Sequence, residues 1–201
     1  MGTPYEGGYL WPPRPTVAAA REFFPDGPFA GQAKMNGRCV VVAWDGKSIV
    51  VYTRHNTVSR WAAPVGLVER LRTTFGDEPA ALSAELMHSK GILNTIFVFD
   101  VLAFGGERLD GWVFEDRMRK MRELFPGGTE EPTHRDLGGG LWIARTFVNN
   151  LGEKYDEFVE FDHVEGLVLK RLGSTLSNMA REGLDGRWQL KVRKPSSKYR
   201  F

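Results

Sequence analysis

A short turn sequence between two valine-rich runs most constrains the fold of this chain. The runs Arg38–Trp44 and Lys47–Arg54 flank the pair Asp45-Gly46, which favours a type I′ turn between two antiparallel strands. Because a strand leaves half of its hydrogen-bonding groups for a neighbour, such a hairpin requires a sheet to complete it. The sequence therefore predicts that this part of the chain belongs to a β-sheet.

The other predicted elements alternate without a regular strand–helix–strand repeat. Further strands are predicted over 81–87, 95–104, 141–147, 164–171 and 187–193. Helices are predicted over 17–24, 65–75, 112–125 and around 153–158, and loops over 1–15 and 129–140. Hairpins mixed with isolated helices are typical of an α+β domain.

Composition excludes several protein classes. The 201 residues include 42% hydrophobic and 26% charged residues, a balance that excludes a disordered chain and suits a single domain over 1–201. No apolar run reaches the roughly 18 residues of a membrane span, and the N-terminus has no secretory signal pattern. The single cysteine, Cys39, is predicted to be a small buried apolar residue, and its isolation fits a cytoplasmic protein.

Basic residues concentrate at the C-terminal end of the chain. The overall formal charge is only +2, but the segment from Lys170 to Phe201 contains nine basic residues against Glu182 and Asp185. Such a segment suits a phosphate-rich partner, either a nucleotide or a nucleic acid. A solvated basic tail is an equally good interpretation of charge alone.

Candidate phosphate chemistry centres on lysines. Lys34 lies in QAKMNGR just before the hairpin, and a lysine attacks as a nucleophile only as a neutral amine, which neighbouring cations favour. In the run EGLVLK, Glu165 is a candidate metal ligand and Lys170 a candidate phosphate contact. Lys191 and Arg193 alternate along a strand, so they share one face and form a clamp for a polyanion. An edge strand with a charged end is the alternative interpretation of EGLVLK.

Three further residues are candidates on weaker grounds. Glu85 lies in an apolar run, where a carboxylate needs a partner such as a ligand hydroxyl. Phe99 is either a stacking surface for a base or part of the core. Arg54 ends the hairpin, where an exposed arginine is ordinary.

Taken in order, these residues resemble the motifs of the covalent nucleotidyltransferase superfamily of ATP-dependent DNA and RNA ligases and mRNA capping enzymes. The similar segments are Lys34-Met35-Asn36-Gly37, Arg54 in YTRHN, Glu85, Phe99 in FVFDVLAFGGERL, EGLVLK from Glu165 to Lys170, and LKVRKP with Lys191 and Arg193. They run from about Gln32 to Pro195. The segment around Phe99 resembles DNA ligases more than RNA ligases.

The chain departs from the family pattern at four positions. Asn36 replaces the usual aspartate, and Gln32 replaces a common ligase glutamate while keeping an amide that can contact adenine. Cys39 stands where DNA ligases have an arginine; Arg38, one position earlier, is the candidate nucleotide contact that the resemblance implies, although a regular strand directs it to the opposite face. Arg193 replaces a lysine and keeps its charge.

The resemblance implies both a fold and a reaction. The expected fold is an ATP-grasp-like α+β nucleotidyltransferase domain of antiparallel sheets flanked by helices. Lys34 would form a covalent Lys34–AMP intermediate from ATP, with Mg²⁺ (or Mn²⁺) held at Glu165. Glu85 and Arg54 would fix the ribose and the base-side geometry, Phe99 would stack on the base, and Lys170, Lys191 and Arg193 would contact phosphate.

The implied partner is nucleic acid. Nicked duplex DNA is the first expectation and RNA the second, with a monomeric protein and no membrane. An RNA ligase, a GTP-dependent capping enzyme and a non-catalytic nucleic-acid-binding domain are the alternatives. A further OB-fold domain does not fit after the last motif, so the expectation is either a minimal nucleotidyltransferase or the catalytic domain of a longer chain.

Overall fold

The computed structural model describes residues 18–19, 27–88, 91–176 and 188–195. Its strands are β1 (Ala18–Ala19), β2 (Phe29–Met35), β3 (Arg38–Trp44), β4 (Ile49–Thr53), β5 (Ala80–Met87), β6 (Thr95–Phe104), β7 (Glu107–Arg108), β8 (Thr129–Glu130), β9 (His134–Asp136), β10 (Leu141–Ala144), β11 (Val164–Arg171) and β12 (Gln189–Arg193). Its helices are α1 (Val65–Phe75), α2 (Phe114–Leu124) and α3 (Leu151–Phe158).

The strands form two sheets. The small sheet has the order β1-β12-β11-β2, and the large sheet has the order β4-β3-β5-β6-β10-β9-β8 with β7 paired to β6. Neighbouring strands are antiparallel except for the β1–β12 and β6–β10 pairs. The predicted α+β class, with mainly antiparallel sheets and flanking helices, is confirmed.

The helices cover the outer faces of the sheets. One core cluster joins α1 and α2 to the large sheet and contains Leu71 and Met118 together with Val42, Leu82 and Val98. A second cluster joins α3 to the small sheet. The same cluster includes Met87 and Phe97 of the large sheet, so the two sheets also meet there. Within the described ranges, no helix is long and apolar enough to cross a membrane.

The hairpin is confirmed, but its turn differs from the predicted type. Strands β3 and β4 pair from Trp44–Ile49 onward, so the connection is longer than two residues. Gly46 has a φ of +94°, whereas Asp45 is not among the described residues with positive φ, as a type I′ turn would require. The Asp45 carboxylate instead accepts the backbone N–H groups of Lys47 and Ser48. Side-chain hydrogen bonding therefore selects this turn.

Two predicted elements are wrong where the structure describes them. The helix predicted over 17–24 is contradicted at Ala18–Ala19, which pairs in parallel with Lys191–Val192; the rest of that segment lies outside the described residues. Pairing with the small sheet overrides the helix propensity of alanine. The predicted loop at 129–140 contains β8 and β9, because β9 finds a partner in β10.

Candidate functional site

The β2–β11–β12 register places Lys34, Gly166 and Arg193 in one row across the small sheet. Gly166 lies opposite Lys34 on one side and opposite Arg193 on the other. Residues directly opposite each other in antiparallel strands project from the same face. The two cations therefore stand side by side over a glycine that contributes no side chain.

A β-bulge at Glu165 brings a carboxylate into this row. The register shifts between Val164 and Gly166, so Glu165 departs from regular alternation. The ammonium group of Lys34 donates a hydrogen bond to Glu165 Oε2, and Arg193 Nε lies 3.9 Å from the same oxygen. The bulge thus places a carboxylate between two cations, although regular alternation would turn it to the other face.

The next row contains Gln32, Val168 and Lys191. Val168 lies opposite Gln32 and Lys191, so these side chains share the face of Lys34. Partial burial lowers the pKa of Lys191, and the nearby cations Lys34 and Arg193 lower it further. A cluster of cations that repel one another is an unfavourable arrangement for an empty surface and a suitable one for a bound polyanion.

Lys170 continues the same face but is almost fully buried, with 3% of its surface exposed. Its ammonium donates to the carbonyl of Phe99 at 3.2 Å and lies 3.8 Å from Asp100 Oδ2. The same nitrogen lies 4.8 Å from the Phe99 ring centre, so one face of that ring is already in contact with a cation. Burial lowers the pKa of Lys170 to about 8, against the opposing effect of Asp100.

Arg117 on α2 fixes Asp100 beneath this lysine. Its Nε and one terminal nitrogen donate to the two Asp100 oxygens at 2.8 and 3.0 Å. Both side chains are buried, at 1% and 5% exposure. Sequence reasoning did not assign either residue a role, although an aspartate inside the apolar strand β6 is itself a signal of a buried charged partner.

Glu85 approaches the cationic face of the small sheet from the large sheet, and the space between Glu85 and Lys34, Glu165 and Lys191 is called the cleft below. It lies opposite Cys39 in the β3–β5 pair, and its carboxylate interacts with the backbone N–H of Gly37. Burial raises the pKa of Glu85 to about 7, Lys34 opposes the shift and Glu165 adds to it. The Glu85 carboxylate is therefore close enough to Lys34 and Glu165 for their charges to shift its pKa.

The raised pKa of Glu85 predicts a pH-dependent stability. Because the folded-state pKa is above the ordinary 4.5, ionised Glu85 destabilises the fold progressively as pH rises from about 4.5 through 7. We expect Glu85→Gln to raise Tm relative to the parent at pH 8 and to leave this difference much smaller at pH 5. Thermal unfolding at both pH values measures it, with Glu153→Gln on the exposed surface of α3 as control. An equal Tm difference at both pH values would contradict this assignment.

Cys39 is exposed, so its prediction as a buried apolar residue is wrong. It lies opposite Glu85, and although solvent reaches the side chain, the surrounding cleft residues keep part of the water away from its thiol. This desolvation and Glu85 raise the pKa of Cys39 to about 12, against the influence of nearby lysines. The thiol is therefore protonated near neutral pH and has little nucleophilic character.

Gln32 is a buried polar group with an open acceptor. It is 1% exposed, and its Nε2 donates to Thr146 Oγ1 at 3.0 Å and to the carbonyl of Phe99 at 3.2 Å. Its Oε1 has no hydrogen-bond partner among the described residues. A buried acceptor without a partner carries a desolvation cost, which a ligand N–H would remove.

Two sequence candidates lie apart from this cluster. Arg38 is exposed and projects from β3 on the face opposite Cys39. Arg54 is exposed in the turn after β4, where its Nε donates to His55 at 3.1 Å. Strand alternation predicted that Lys194 points away from Lys191 and Arg193. Its ammonium donates to the carbonyls of Val159 and Phe161 at the end of α3.

The cleft therefore joins six sequence candidates from the small sheet with two from the large sheet. The small sheet contributes Gln32, Lys34, Lys170, Lys191 and Arg193, with Glu165 at the bulge. The large sheet contributes Glu85 and Phe99. Among the residues described, no group of three or more histidine, cysteine or acidic side chains could hold a metal ion alone.

Comparisons with known proteins find similarity in structure but not in sequence. No protein-family model matches the chain, and no curated protein matches it. The fold is similar to the ligase domain from M. tuberculosis LigD, with a TM-score of 0.58, 15% identity, and coverage of 83% of this chain and 53% of that chain. The fold is also similar to a mycobacterial DNA ligase D complexed with ATP and MES. The TM-score is 0.57 at 15% identity, and the match covers 83% of this chain and 54% of that chain.

A structure of the Lig E DNA ligases, described as DNA binding with a minimal scaffold, is also similar. The TM-score is 0.54 at 17% identity, and the match covers 89% of this chain and 68% of that chain. The chain spans about half the length of the LigD structures. The resemblance to DNA-ligase nucleotidyltransferase domains that the motifs predict is confirmed for the fold.

Proposed function

We propose that this chain is the nucleotidyltransferase domain of an ATP-dependent DNA ligase, with Lys34 as the residue that takes the nucleotide. The row Lys34–Gly166–Arg193, with Glu165 bulged onto the lysine, is the observation that carries this proposal. It joins three strands in one cationic face that opens toward Glu85 and Phe99.

The proposed first step is attack by the neutral Lys34 amine on the α-phosphorus of ATP. An N–P bond forms, the bond from the α-phosphorus to the bridging oxygen breaks, and pyrophosphate leaves. Glu165 is positioned to accept a proton from Lys34, because it already accepts the hydrogen bond of that ammonium. Lys191 and Arg193 lie beside the reacting nitrogen and would stabilise negative charge on the phosphates.

Adenine is the base that the cleft suits best. The open Oε1 of Gln32 is an acceptor, which fits the exocyclic amine of adenine and not the carbonyl oxygen at the same position of guanine. The Phe99 ring has one face against Lys170 and packs on the second core cluster, and the base would stack on the part of this half-buried ring that solvent reaches. Glu85 would accept a ribose hydroxyl, since its carboxylate lies near Lys34.

A magnesium ion fits this site only when shared with the substrate. Mg²⁺ is commonly held by one or two carboxylates together with substrate phosphates, and Glu165, in contact with Lys34, is the carboxylate that would hold it here. Bound there, the ion would supply Lewis-acid stabilisation of the triphosphate.

The later steps concern the nucleic acid. AMP would pass from Lys34 to the 5′-phosphate at a nick, and the adjacent 3′-hydroxyl would displace AMP to form the phosphodiester bond. The similarity to DNA ligase folds supports DNA as the substrate.

Covalent labelling tests the first step directly. We expect the protein, incubated with ATP labelled at the α-phosphate and Mg²⁺, to carry label through a denaturing gel. The label should be lost in mild acid and stable in alkali, as expected of a phosphoramidate, and ATP labelled at the γ-phosphate should leave none. GTP is the matched control for the base. Absence of a covalent label would contradict the proposed reaction, and a GTP-only label would contradict the base assignment.

Nick sealing then tests the substrate. Nicked duplex DNA should be joined in a reaction that consumes the labelled intermediate, and a nicked duplex of RNA is the comparison. Joining of RNA alone would replace the DNA assignment by an RNA ligase.

A further inference from the structure

A second cavity lies beside the nucleotide cleft and is rich in arginine. Its volume is about 300 Å³, and it opens between α2 and strands β8, β9 and β10. Arg122, Arg135 and Arg145 line it together with a single acidic residue, Glu130. Met118, Met121 and Ile143 supply apolar lining. A cavity of this size, with cations grouped over apolar surface, suits an anionic ligand that also carries apolar groups.

Two of these arginines are held in place by the backbone. Arg135 donates to the carbonyl of Gly127 at 2.6 Å, and Arg145 donates to the carbonyl of Glu131 at 2.9 Å. The Arg145 guanidinium also lies 5.0 Å from the ring centre of Phe147. Each contact occupies only part of the guanidinium, so both retain donors for a ligand. Fixed guanidinium groups lose little side-chain entropy on binding.

Glu130 occupies the position between these two arginines. Its Oε2 lies 3.1 Å from Arg145 Nε, and its Oε1 lies 4.0 Å from Arg135 Nε. The side chain is 58% exposed, so the ion pairs contribute little stability and the carboxylate can leave at small cost. A carboxylate bridging two arginines presents the same kind of acceptors as two phosphate oxygens.

The cavity adjoins the cleft through a shared wall. Thr146 and Met118 line the cavity, and both receive hydrogen bonds from Gln32 Nε2, at 3.0 and 3.3 Å. Gln32 lies two residues before Lys34 on β2, a separation of about 7 Å along a strand. One wall of the cavity is therefore formed by residues that hold Gln32, close to the row that contains Lys34.

We propose that this cavity binds a backbone phosphate of the nucleic-acid substrate between Arg135 and Arg145, and that Glu130 takes the place of that phosphate when no strand is bound. The apolar lining then receives the sugar or base next to the phosphate. This inference rests on the proposed function, since it assigns a second contact for the same substrate.

Binding of a labelled nicked duplex as a function of salt tests the arginines. Arg135→Gln and Arg145→Gln are each expected to weaken binding about three- to tenfold and to reduce the slope of log K against log salt by about one. Arg119→Gln is the matched control, because it removes the same charge from an exposed part of α2 where Arg119 pairs with Asp116. Lysyl-AMP formation from ATP alone should be unchanged in all three variants.

Glu130→Gln is expected to have the opposite effect on duplex binding, which distinguishes the loss of a contact from misfolding. Removal of the competing carboxylate is expected to tighten duplex binding about three- to tenfold, and a damaged protein would not bind more tightly. Glu131→Gln, which neutralises the neighbouring residue outside the cavity lining, should change affinity less. Inorganic phosphate serves as a second probe, and an effect of the arginine variants on phosphate binding alone would overturn the assignment to a strand.

The outcomes separate this inference from the proposed function. If the protein forms lysyl-AMP and binds nicked duplex while the arginine and Glu130 variants behave like the parent, only the cavity assignment is wrong. If neither the parent nor any variant forms lysyl-AMP, the proposed function is wrong. Weaker duplex binding in the arginine variants together with tighter binding in Glu130→Gln would still support a nucleic-acid site in the cavity.

Discussion

Lys34→Arg is expected to lower covalent nucleotide attachment by about three orders of magnitude or more, a loss typical of removing a nucleophile. Arginine retains the positive charge and can still contact Glu165, so the electrostatics of the Lys34–Gly166–Arg193 row change little. Its guanidinium is, however, always protonated and lacks a nucleophilic amine. The measurement is the single-turnover rate of label transfer from ATP labelled at the α-phosphate.

Lys154→Arg is the matched control for this change. Lys154 is also paired with a glutamate, at 2.6 Å from Glu157 on α3, but it lies away from the cleft. We expect the Lys154→Arg protein to take up label at the rate of the parent. Label transfer to Lys34→Arg at a rate within tenfold of the parent would show that another residue takes the nucleotide. Mass analysis of the labelled peptide would then identify that residue.

Gly166→Ala is expected to destabilise the fold by at least about 3 kcal/mol, because overpacking here meets rigid backbone. Gly166 has a φ of +140°, and a Cβ at this position would lie 2.0 Å from the carbonyl oxygen of Val192. Alanine can be accommodated only if β11 and β12 separate, which would break the row of Lys34 and Arg193. Thermal unfolding should show Tm lowered by about 6–12 °C.

Gly173→Ala is the matched control for the glycine effect. A Cβ at Gly173 has no heavy atom within 4 Å, and its φ is not in the positive region. This variant should unfold within a degree or two of the parent and should form lysyl-AMP at the parent rate. A Gly166→Ala protein with parental Tm and labelling would contradict the close approach of β11 and β12.

Local sequence pattern predicted most of the fold because strand and helix periodicity is a local property. The bounds of α1, β3, β6 and β11 agree with the prediction, since each has a recurring apolar pattern bounded by turn residues. The segment around Ala18–Ala19 was predicted as a helix because alanine favours helices in isolation. Its strand exists only because β12 offers a partner, which local pattern does not contain.

The candidate site was predictable as a set of residues but not as an arrangement. Lys34, Lys170 and Lys191 were identified from spacing and resemblance, whereas the Asp100–Arg117 pair under Lys170 was not assigned a role. That pair joins β6 to α2 over 17 residues, and periodicity indicates that both side chains are near a core but not that they meet. Cys39 was predicted as buried because its neighbours are apolar, yet it lies at the edge of the cleft.

The sequence by itself determined which residues are candidates for phosphate chemistry, where most of the longer strands run, and that Gly166 permits a bend beside Glu165. Only the tertiary structure decided that this bend turns Glu165 onto Lys34, a contact between residues 131 positions apart. It also decided that Lys170 is buried against Phe99 and that Gln32 holds an open acceptor. The physical reason is that register and bulges are selected by pairing across the whole sheet, whereas side-chain periodicity reports only on each strand alone.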